Sequence, residues 1–453
     1  MGKEIPSEIF RSYDIRGLYP FQLDEKLAYR IAQAYVKYVQ PEGKIVVGYD
    51  VRTSSPKLQE SVISGLTDAG IDVVNIGMVS TDMYYFAAGN YNYAGGIMIT
   101  ASHNPAEYNG LKMVRENVYP LFGEEGINQI RDMILNNEEK IKSENTGITE
   151  NKDVLNDFSD FVQGLIDVDS VKPLKVVMNA NFGYQAVVAD HIIKRAKLPI
   201  TLVGLNDQPD GTFPKGRPDP YVPENRPEFV ELVKSENADF GVAWDADGDR
   251  VFFCTGNGVF VDAYYINSLL IKEMLAKSDD KNIIYEPRYT WAIIDAAKEA
   301  GGNAIAERVG HSYIKARMKK ENAIFCGESS GHTYFRDFWY ADAGMIPFIL
   351  MLEIISKSGK SLDDLIMPII NKYPISGEIN STVDDKDAVL SEIRETYSDA
   401  EFNTLDGLSL EYPDWRANIR ASNTEPLLRL NVEAKTKELV EDKTQELLNI
   451  IRS

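Results

Sequence analysis

Residues 95–112 read GGIMITASHNPAEYNGLK, and the chain is parsed from them. The short apolar run 97–99 suits a buried strand. It delivers Thr100, Ala101 and Ser102 into a loop that continues His103, Asn104 and Pro105, so Ser102 stands where a strand ends. Small polar residues ahead of a proline often do no more than close a strand. The same serine also suits a nucleophile or phosphoryl carrier, with His103 and Lys112 close in sequence. A serine-hydrolase elbow is disfavoured, because Thr100 and Asn104 stand where Gly-x-Ser-x-Gly needs glycine. The rest of the chain has to choose.

Upstream, 9–17 (IFRSYDIRG) is an aromatic and basic segment that ends at what reads as a turn glycine, Gly17. Residues 44–50 form a strand, and Ser54-Ser55-Pro56 opens a helix with the proline at a tolerated first-turn position. Leu58, Val62, Leu66 and Ala69 keep helical spacing until Gly70 stops it. A strand over 72–78, a helix through 84–88 and the strand into Ser102 continue the alternation, which implies a parallel sheet covered on both faces.

After a charge-rich linker at 136–153 the pattern restarts with strands 174–180, 200–205 and 240–244 and a helix ending near 196. It restarts again with strands 282–286 and 323–326 and helices 263–276, 290–300, 314–320 and 345–357. Beyond residue 373, two alternating stretches and helices over 388–397 and 435–451 predict a small antiparallel sheet with helices on one face. The expected fold class is α/β, with three α/β domains (1–150, 151–256 and 257–370) built on mixed or parallel sheets, plus a smaller C-terminal α+β domain (371–453).

The 453 residues are 44% hydrophobic and 26% charged, which is ordinary for a soluble globular protein with several cores. No run approaches the ~18 apolar residues of a membrane span, and the first residues lack a basic region followed by an apolar stretch, so a cytoplasmic location is expected. Cys254 and Cys326 are too few for a disulfide framework and read as core residues in a reducing compartment. A net charge of -21 argues against nucleic acid or membrane as partner. It leaves room for a small phosphorylated ligand where Lys and Arg are concentrated locally.

Three units deliver a strand into a polar loop, at Ser102, Asp245 and Glu328, as α/β sheets do at ligand sites. In WDADGDR (244–250), Asp245, Asp247 and Asp249 alternate, so in an extended loop their carboxylates converge on one hard cation. EF-hand spacing fails, since Arg250 stands in the glycine position and Gly256 in the glutamate position. A three-carboxylate Mg2+ site and a solvated acidic turn are the readings that remain. Like charges this close cost about 4 kcal/mol per pair at an effective dielectric of about 20, and a cation removes that cost.

GESSGH (327–332) offers a carboxylate, two hydroxyls and an imidazole suited to vicinal sugar hydroxyls. RASNT (420–424) offers a guanidinium, two hydroxyls and an amide suited to phosphate, and each stretch suits a tight turn as well. Of the four histidines, His103, His311 and His332 fall in or beside these loops, while His191 lies on a predicted helix.

Together IFRSYDIRG, TASHNP followed by YNGLK, DADGDR, GHSYIK, GESSGH and RASNTEP resemble, in order and over essentially the whole chain, the α-D-phosphohexomutase superfamily and its bacterial phosphomannomutase/phosphoglucomutase members. The resemblance implies four domains around a central cleft. It implies reversible interconversion of the 1- and 6-phosphates of mannose and/or glucose, through a phosphoserine and a hexose 1,6-bisphosphate. A glucosamine or acetylglucosamine phosphate mutase on the same scaffold is the alternative.

By the same resemblance Ser102 is the phosphoryl carrier, and one Mg2+ is held by Asp245, Asp247 and Asp249 with the Ser102 phosphoryl group. Glu328 and Ser330 hold sugar hydroxyls, and Arg420, Ser422, Asn423 and Thr424 grip the non-reacting phosphate. Tyr13, Arg16, His103, Lys112, Arg250, His311 and His332 match positions around the transferred group or the sugar. Arg16, His103, Lys112 and His332 are thereby catalytic candidates beside Ser102. The implied partner is a phosphorylated hexose, and the expected assembly is a monomer or homodimer.

Three departures stand out. Ala246 replaces a family glycine, which is harmless unless that position needs positive φ. Ser329 occupies a position where mannose/glucose enzymes often carry Met and glucosamine enzymes Gln. Arg288 stands where dual-specificity enzymes often have Lys, which keeps a cation and changes its geometry.

Overall fold

The run at 95–99 is a strand, Gly95–Ile99, buried at every position. In the computed structural model, which describes residues 5–141, 143–421 and 426–453, it pairs in parallel with Ile45–Tyr49 and antiparallel with Tyr108–Arg115. The sheet runs in the order Ile15–Leu18, Tyr108–Arg115, Gly95–Ile99, Ile45–Tyr49, Val73–Met78, Thr149–Asn151. It is therefore mixed rather than wholly parallel. Two of its strands lack the apolar runs that mark the others: Tyr108–Arg115 carries asparagine, glycine and lysine, and Thr149–Asn151 lies inside the polar linker. Gly17 is not a turn residue. It pairs with Asn109 inside the strand Ile15–Leu18, where a Cβ would stand 2.9 Å from Ile9 Cγ2.

The chain divides into two compact units, one running to Phe260 with Asp337–Gly359 added, the other made of Val261–Arg336 and Lys360–Ser453. The first unit holds a second sheet with Val251–Thr255, Phe240–Trp244, Leu174–Asn179 and Ile200–Leu205 in that order. The helix Met345–Ser358 is apolar over nearly its whole surface, so it needs burial on every side. It finds this in the first unit rather than with the segment it follows in sequence, Phe348 lying edge-on to Trp244 with ring centroids 5.5 Å apart.

In the second unit, Asn303–Ala306, Asn282–Tyr285, Phe325–Gly327 and Thr333–Phe335 are neighbours in that order. A separate, all-antiparallel sheet runs Ile379–Thr382, Leu427–Ala434, Trp415–Ala421, Leu408–Glu411, Glu401–Asn403. The helices Lys386–Thr396 and Lys437–Ile451 bury Ile393, Val440 and Leu447 in its core. Three α/β arrangements and a C-terminal α+β one result, the expected class.

One feature of the loops differs from expectation. The leading strands enter antiparallel hairpins rather than crossovers to helices: Ile99 faces Leu111, Trp244 faces Val251, and Gly327 faces Thr333. Arg420 likewise lies near the end of a strand that pairs antiparallel with Leu427–Ala434. Both arms of the loops at Ser102, Asp245 and Glu328 are thus clamped by a hydrogen-bonded ladder, which limits how far those loops can drift.

Candidate active site

Ser102 sits in the left-handed region, with φ 49°, in a loop that closes on itself. Its backbone N–H donates to Thr100 Oγ1 at 2.9 Å. Its hydroxyl donates to Asp245 Oδ2 at 2.9 Å and lies 3.0 Å from His103 Nδ1. Serine in this backbone region is uncommon, and the surroundings over-determine it.

The main restraint is Arg52, which the motif survey does not single out. Its Nη2 donates to the carbonyls of Ser102 and Asn104, each at 2.6 Å, and its Nη1 to those of Pro105 at 2.6 Å and Tyr108 at 3.1 Å. Asp50 neutralises the same guanidinium at 3.1 Å, and Phe213 lies under its face. The available signal was an acid and a base two apart at the end of a buried strand, Asp50 and Arg52. Arg16 reaches the loop from the first strand, donating to Asn104 Oδ1 at 2.8 Å while bonded to Asp14 at 2.7 Å. Tyr13 is half-buried in the bend that precedes that strand.

Asp245, Asp247 and Asp249 are buried in the adjoining hairpin loop, each offering an oxygen within 4.8 Å of the others. The loop is held from several sides. Thr81 donates from its backbone N–H to Asp247 O at 2.8 Å and from its hydroxyl to Asp247 Oδ2 at 2.7 Å. Gln185 donates to Gly248 O at 2.7 Å, and Asn181 to Trp244 O at 2.7 Å. Gly248 takes φ +75°, and a Cβ there would lie 2.2 Å from Gln185 Cγ. Ala246 is not among the positive-φ residues and packs with Val51 and Phe213, which explains why alanine is accommodated.

The electrostatics follow from burial and crowding. Asp245 is pushed well above the usual carboxylate range by burial and by the charges of Asp249 and Asp247. Burial alone would lower Lys112, yet Asp247, bonded at 2.7 Å, and Asp249, its second partner, raise it well above its ordinary value. His103 is pushed well below its usual range by burial and then by Arg250, Arg16 and Arg217, which leaves a neutral imidazole beside the serine. Arg250 donates its backbone N–H to Asp245 Oδ1 at 3.2 Å.

Three carboxylates against one ammonium leave net negative charge in a buried space, and Asp247 Oδ1 has no hydrogen-bond partner there. An all-oxygen, anionic donor set of this kind fits a hard divalent cation.

The second unit gathers the sugar-loop residues. Glu328 Oε2 accepts from Tyr334 Oη at 2.6 Å and lies 3.3 Å from His332 Nδ1, itself 3.1 Å from Ser330 Oγ. Burial would raise the Glu328 carboxyl, but the hydrogen bond and charge of His332, then Arg288 and the Tyr334 hydroxyl, bring it well below the carboxylate range.

Ser329 turns away from this group, donating its hydroxyl to Glu286 Oε1 at 2.8 Å and its N–H to the same oxygen at 3.1 Å. Glu286 also holds Arg288, from Nε at 2.8 Å and from the backbone N–H at 2.8 Å. Glu286 is thus a second residue that motif spacing missed, a buried acid shared by Ser329 and Arg288, two of the three departures named above. His311 opens the helix His311–Glu321. Arg420 Nη1 stands 3.4 Å from Asp406 Oδ2. Ser422, Asn423 and Thr424 lie outside the described residues.

Known protein families match along the chain. Four models match in order, the phosphoglucomutase/phosphomannomutase alpha/beta/alpha domains I, II and III at 7–141, 156–258 and 262–373, and the C-terminal domain at 378–450. The chain is 42% identical over 446 residues to the phosphohexose mutases of Xanthomonas campestris pv. campestris, covering 98% of this chain and 99% of that one. It is 41% identical over 451 residues to a phosphomannomutase of Escherichia coli, with coverages of 98% and 99%. The solved structure of a phosphoglucomutase/phosphomannomutase family protein from Burkholderia thailandensis matches with a TM-score of 0.87 at 31% identity, covering 99% of this chain and 98% of that one. An N-acetylphosphoglucosamine mutase of Aspergillus fumigatus, at TM-score 0.62 and 12% identity, covering 100% of this chain and 97% of that one, shares the fold alone.

Proposed function

The chain belongs to the phosphoglucomutase/phosphomannomutase family and is a phosphohexomutase, and on that premise we propose that Ser102 carries the phosphoryl group between the 1- and 6-positions of mannose and glucose phosphates. Phosphorylated Ser102 donates to the free hydroxyl of a hexose phosphate. The P–O bond to Oγ breaks as the bond to the sugar oxygen forms, and the hydroxyl proton passes to a base. The hexose 1,6-bisphosphate so formed turns over, and its other phosphoryl group returns to Ser102.

The observation that carries this reading is the hydrogen bond from Ser102 Oγ to Asp245, at the head of a buried three-aspartate cluster that Lys112 partly neutralises. Asp245, Asp247 and Asp249 would hold one Mg2+, which when bound supplies positive charge to the phosphoryl oxygens. Lys112, held protonated, supplies a fixed charge of the same sign, and positioning with electrostatics carries most of phosphoryl transfer. Neutral His103 accepts the proton that Oγ gives up when the serine is phosphorylated again, His332 is proposed for proton transfer at the sugar, and Lys112 and Arg16, both held protonated, for charge stabilisation there. Tyr13, Arg250, Arg288 and His311 line the substrate in this reading, and Arg420 with Ser422, Asn423 and Thr424 grips the phosphate that is not reacting.

Glu328 and Ser330 are proposed to read O3 and O4, equatorial in both sugars and similarly placed in both orientations of the bisphosphate. Mannose and glucose differ at C2, so both should be turned over within about a hundredfold of each other, one pocket contact being worth about 1–3 kcal/mol. Because Ser329 donates to Glu286, it offers no support for a glucosamine-specific contact. The proposal extends to a cytoplasmic monomer or homodimer that acts on a phosphorylated hexose without nucleic acid or membrane. Among the described residues no helix is long and apolar enough to cross a membrane.

The test is a coupled assay over glucose, mannose and glucosamine 1-phosphates with a catalytic level of hexose 1,6-bisphosphate, run on the wild type and Ser102→Ala side by side. Turnover lost in Ser102→Ala is expected. Full activity there sinks the mechanism.

A further inference from the structure

In the second unit three guanidinium groups converge on one carboxylate. Glu378 Oε2 lies 3.6 Å from Arg288 Nη1 and 3.7 Å from Arg420 Nη2, and Glu378 Oε1 lies 3.6 Å from Arg429 Nη1. Each separation exceeds a hydrogen bond. Glu378 Oε2 has no hydrogen-bond partner although the side chain is only 8% exposed, and Arg429 Nε is buried without one as well. Two neighbouring acids already bond two of these guanidinium groups, Glu286 that of Arg288 and Asp406 that of Arg420, while also holding the Ser329 hydroxyl and the N–H of Val309.

Arg420 and Arg429 are also direct cross-strand partners in the antiparallel pair Trp415–Ala421 and Leu427–Ala434. Like charges directly opposite on a sheet are destabilising unless an anion lies between them. Glu378 is that anion, held loosely, on the segment that joins the helix Leu362–Lys372 to the strand Ile379–Thr382.

We propose that Glu378 is a place-holding anion in the subsite for the non-reacting phosphate, occupying guanidinium groups that a phosphate uses when it binds. With no ligand, Glu378 is the shared counter-ion of Arg288, Arg420 and Arg429. An arriving phosphate takes over these guanidinium groups, and Glu378 receives them back when the phosphate leaves. Such an exchange suits a mutase. The bisphosphate must release one phosphate from this subsite and present the other within a single turnover, and without Glu378 the three arginines would hold on to it more tightly. The inference rests on the reading that Arg420 grips the non-reacting phosphate.

The experiment uses full-length Ser102→Ala protein, in which turnover is expected to be absent, and measures binding of mannose 6-phosphate and of inorganic phosphate by calorimetry. Added Glu378→Gln is expected to tighten both by about tenfold, within the usual span of coupling between two sites. Arg429→Met is expected to weaken both about tenfold, and Glu378→Asp, which keeps the charge, to stay near the parent. In the enzyme with Ser102 intact, Glu378→Gln is expected to lower KM and kcat together. Unchanged or weaker binding in Glu378→Gln overturns the place-holding role, and unchanged binding in Arg429→Met removes that residue from the subsite. Arg420→Met separates the two levels. If it too leaves binding unchanged, the underlying reading of the phosphate subsite fails; if it weakens binding while Glu378→Gln does not tighten it, the place-holding role alone fails.

Discussion

The guanidinium of Arg52 stands 2.6 Å from the carbonyl oxygen of Ser102, a residue 50 positions later in the chain, and grips three further carbonyls of the same loop. A planar fork with several fixed donors can do this, and an ammonium cannot. Arg52→Lys should keep the pairing with Asp50 yet release most of the carbonyls. We expect kcat to fall by about a hundredfold with KM nearly unchanged, as about 1 Å of misplacement does elsewhere. Arg52→Met leaves Asp50 buried without its partner, and urea unfolding should show a loss of about 3–5 kcal/mol. A normal kcat in Arg52→Lys would mean that the loop keeps its shape without the fork.

Lys112 bonds to Asp247 and Asp249 from within the same buried cluster. Removing its charge in Lys112→Met restores repulsion on the order of 4 kcal/mol per close carboxylate pair at an effective dielectric of about 20. The variant should melt lower than wild type in EDTA and gain more from added Mg2+ than wild type does. Equal gains in both proteins would show that the cation does not occupy the aspartate cluster.

Strand and helix alternation made most of both units legible because buried strands such as Phe240–Trp244 are apolar throughout and helices such as Ala263–Ala276 are largely so. Their bounds fall where sequence places them. The returning hairpin arms were not legible: Tyr108–Arg115 is interrupted by Asn109, Gly110 and Lys112, each placed for a loop or a site rather than for strand propensity. Motifs located the side chains proposed to react because chemistry restricts residue type. Arg52, Glu286 and Glu378 act on backbone or on other charges, and nothing local to them in sequence reports what they touch.

Asp82 is buried where Ser80, Gln185 and the N–H groups of Met83 and Met345 converge on it. Burial outweighs these donors and pushes its carboxyl up to about 6. The folded state therefore binds this proton more tightly than the unfolded chain. The resulting stability is full below about pH 4, the unfolded range, and is lost as pH rises through about 6. In urea unfolding the advantage of wild type over Asp82→Asn should grow by on the order of 3 kcal/mol between pH 7 and pH 4. A difference that stays flat with pH would mean that Asp82 does not titrate there.

Two neighbouring small residues in the metal loop should respond in opposite ways. Gly248→Ala must place a Cβ against Gln185 at φ +75°, and a loss of about 1–3 kcal/mol with weakened Mg2+ binding is expected. Ala246→Gly meets no such conflict, and Mg2+ titration should leave it close to wild type. Equal metal affinity in Gly248→Ala would show that the loop shifts freely.

Ser329 anchors its loop through Glu286. Ser329→Ala should raise KM about tenfold, in line with about 1.5 kcal/mol for a hydrogen bond to a charged group, and do so equally for mannose and glucose phosphates. A change in the ratio between the two sugars would place its hydroxyl on the substrate.

The burial of Ser102 bears on how the enzyme is first charged. The residue is 1% exposed, its carbonyl is tied to Arg52, and its backbone is curled rather than extended. A protein kinase docks an extended peptide, which this loop cannot become while the ladder on either side is intact. Under the proposed chemistry the serine is primed by a donor as small as a sugar bisphosphate, so the enzyme's active fraction would follow the supply of that metabolite.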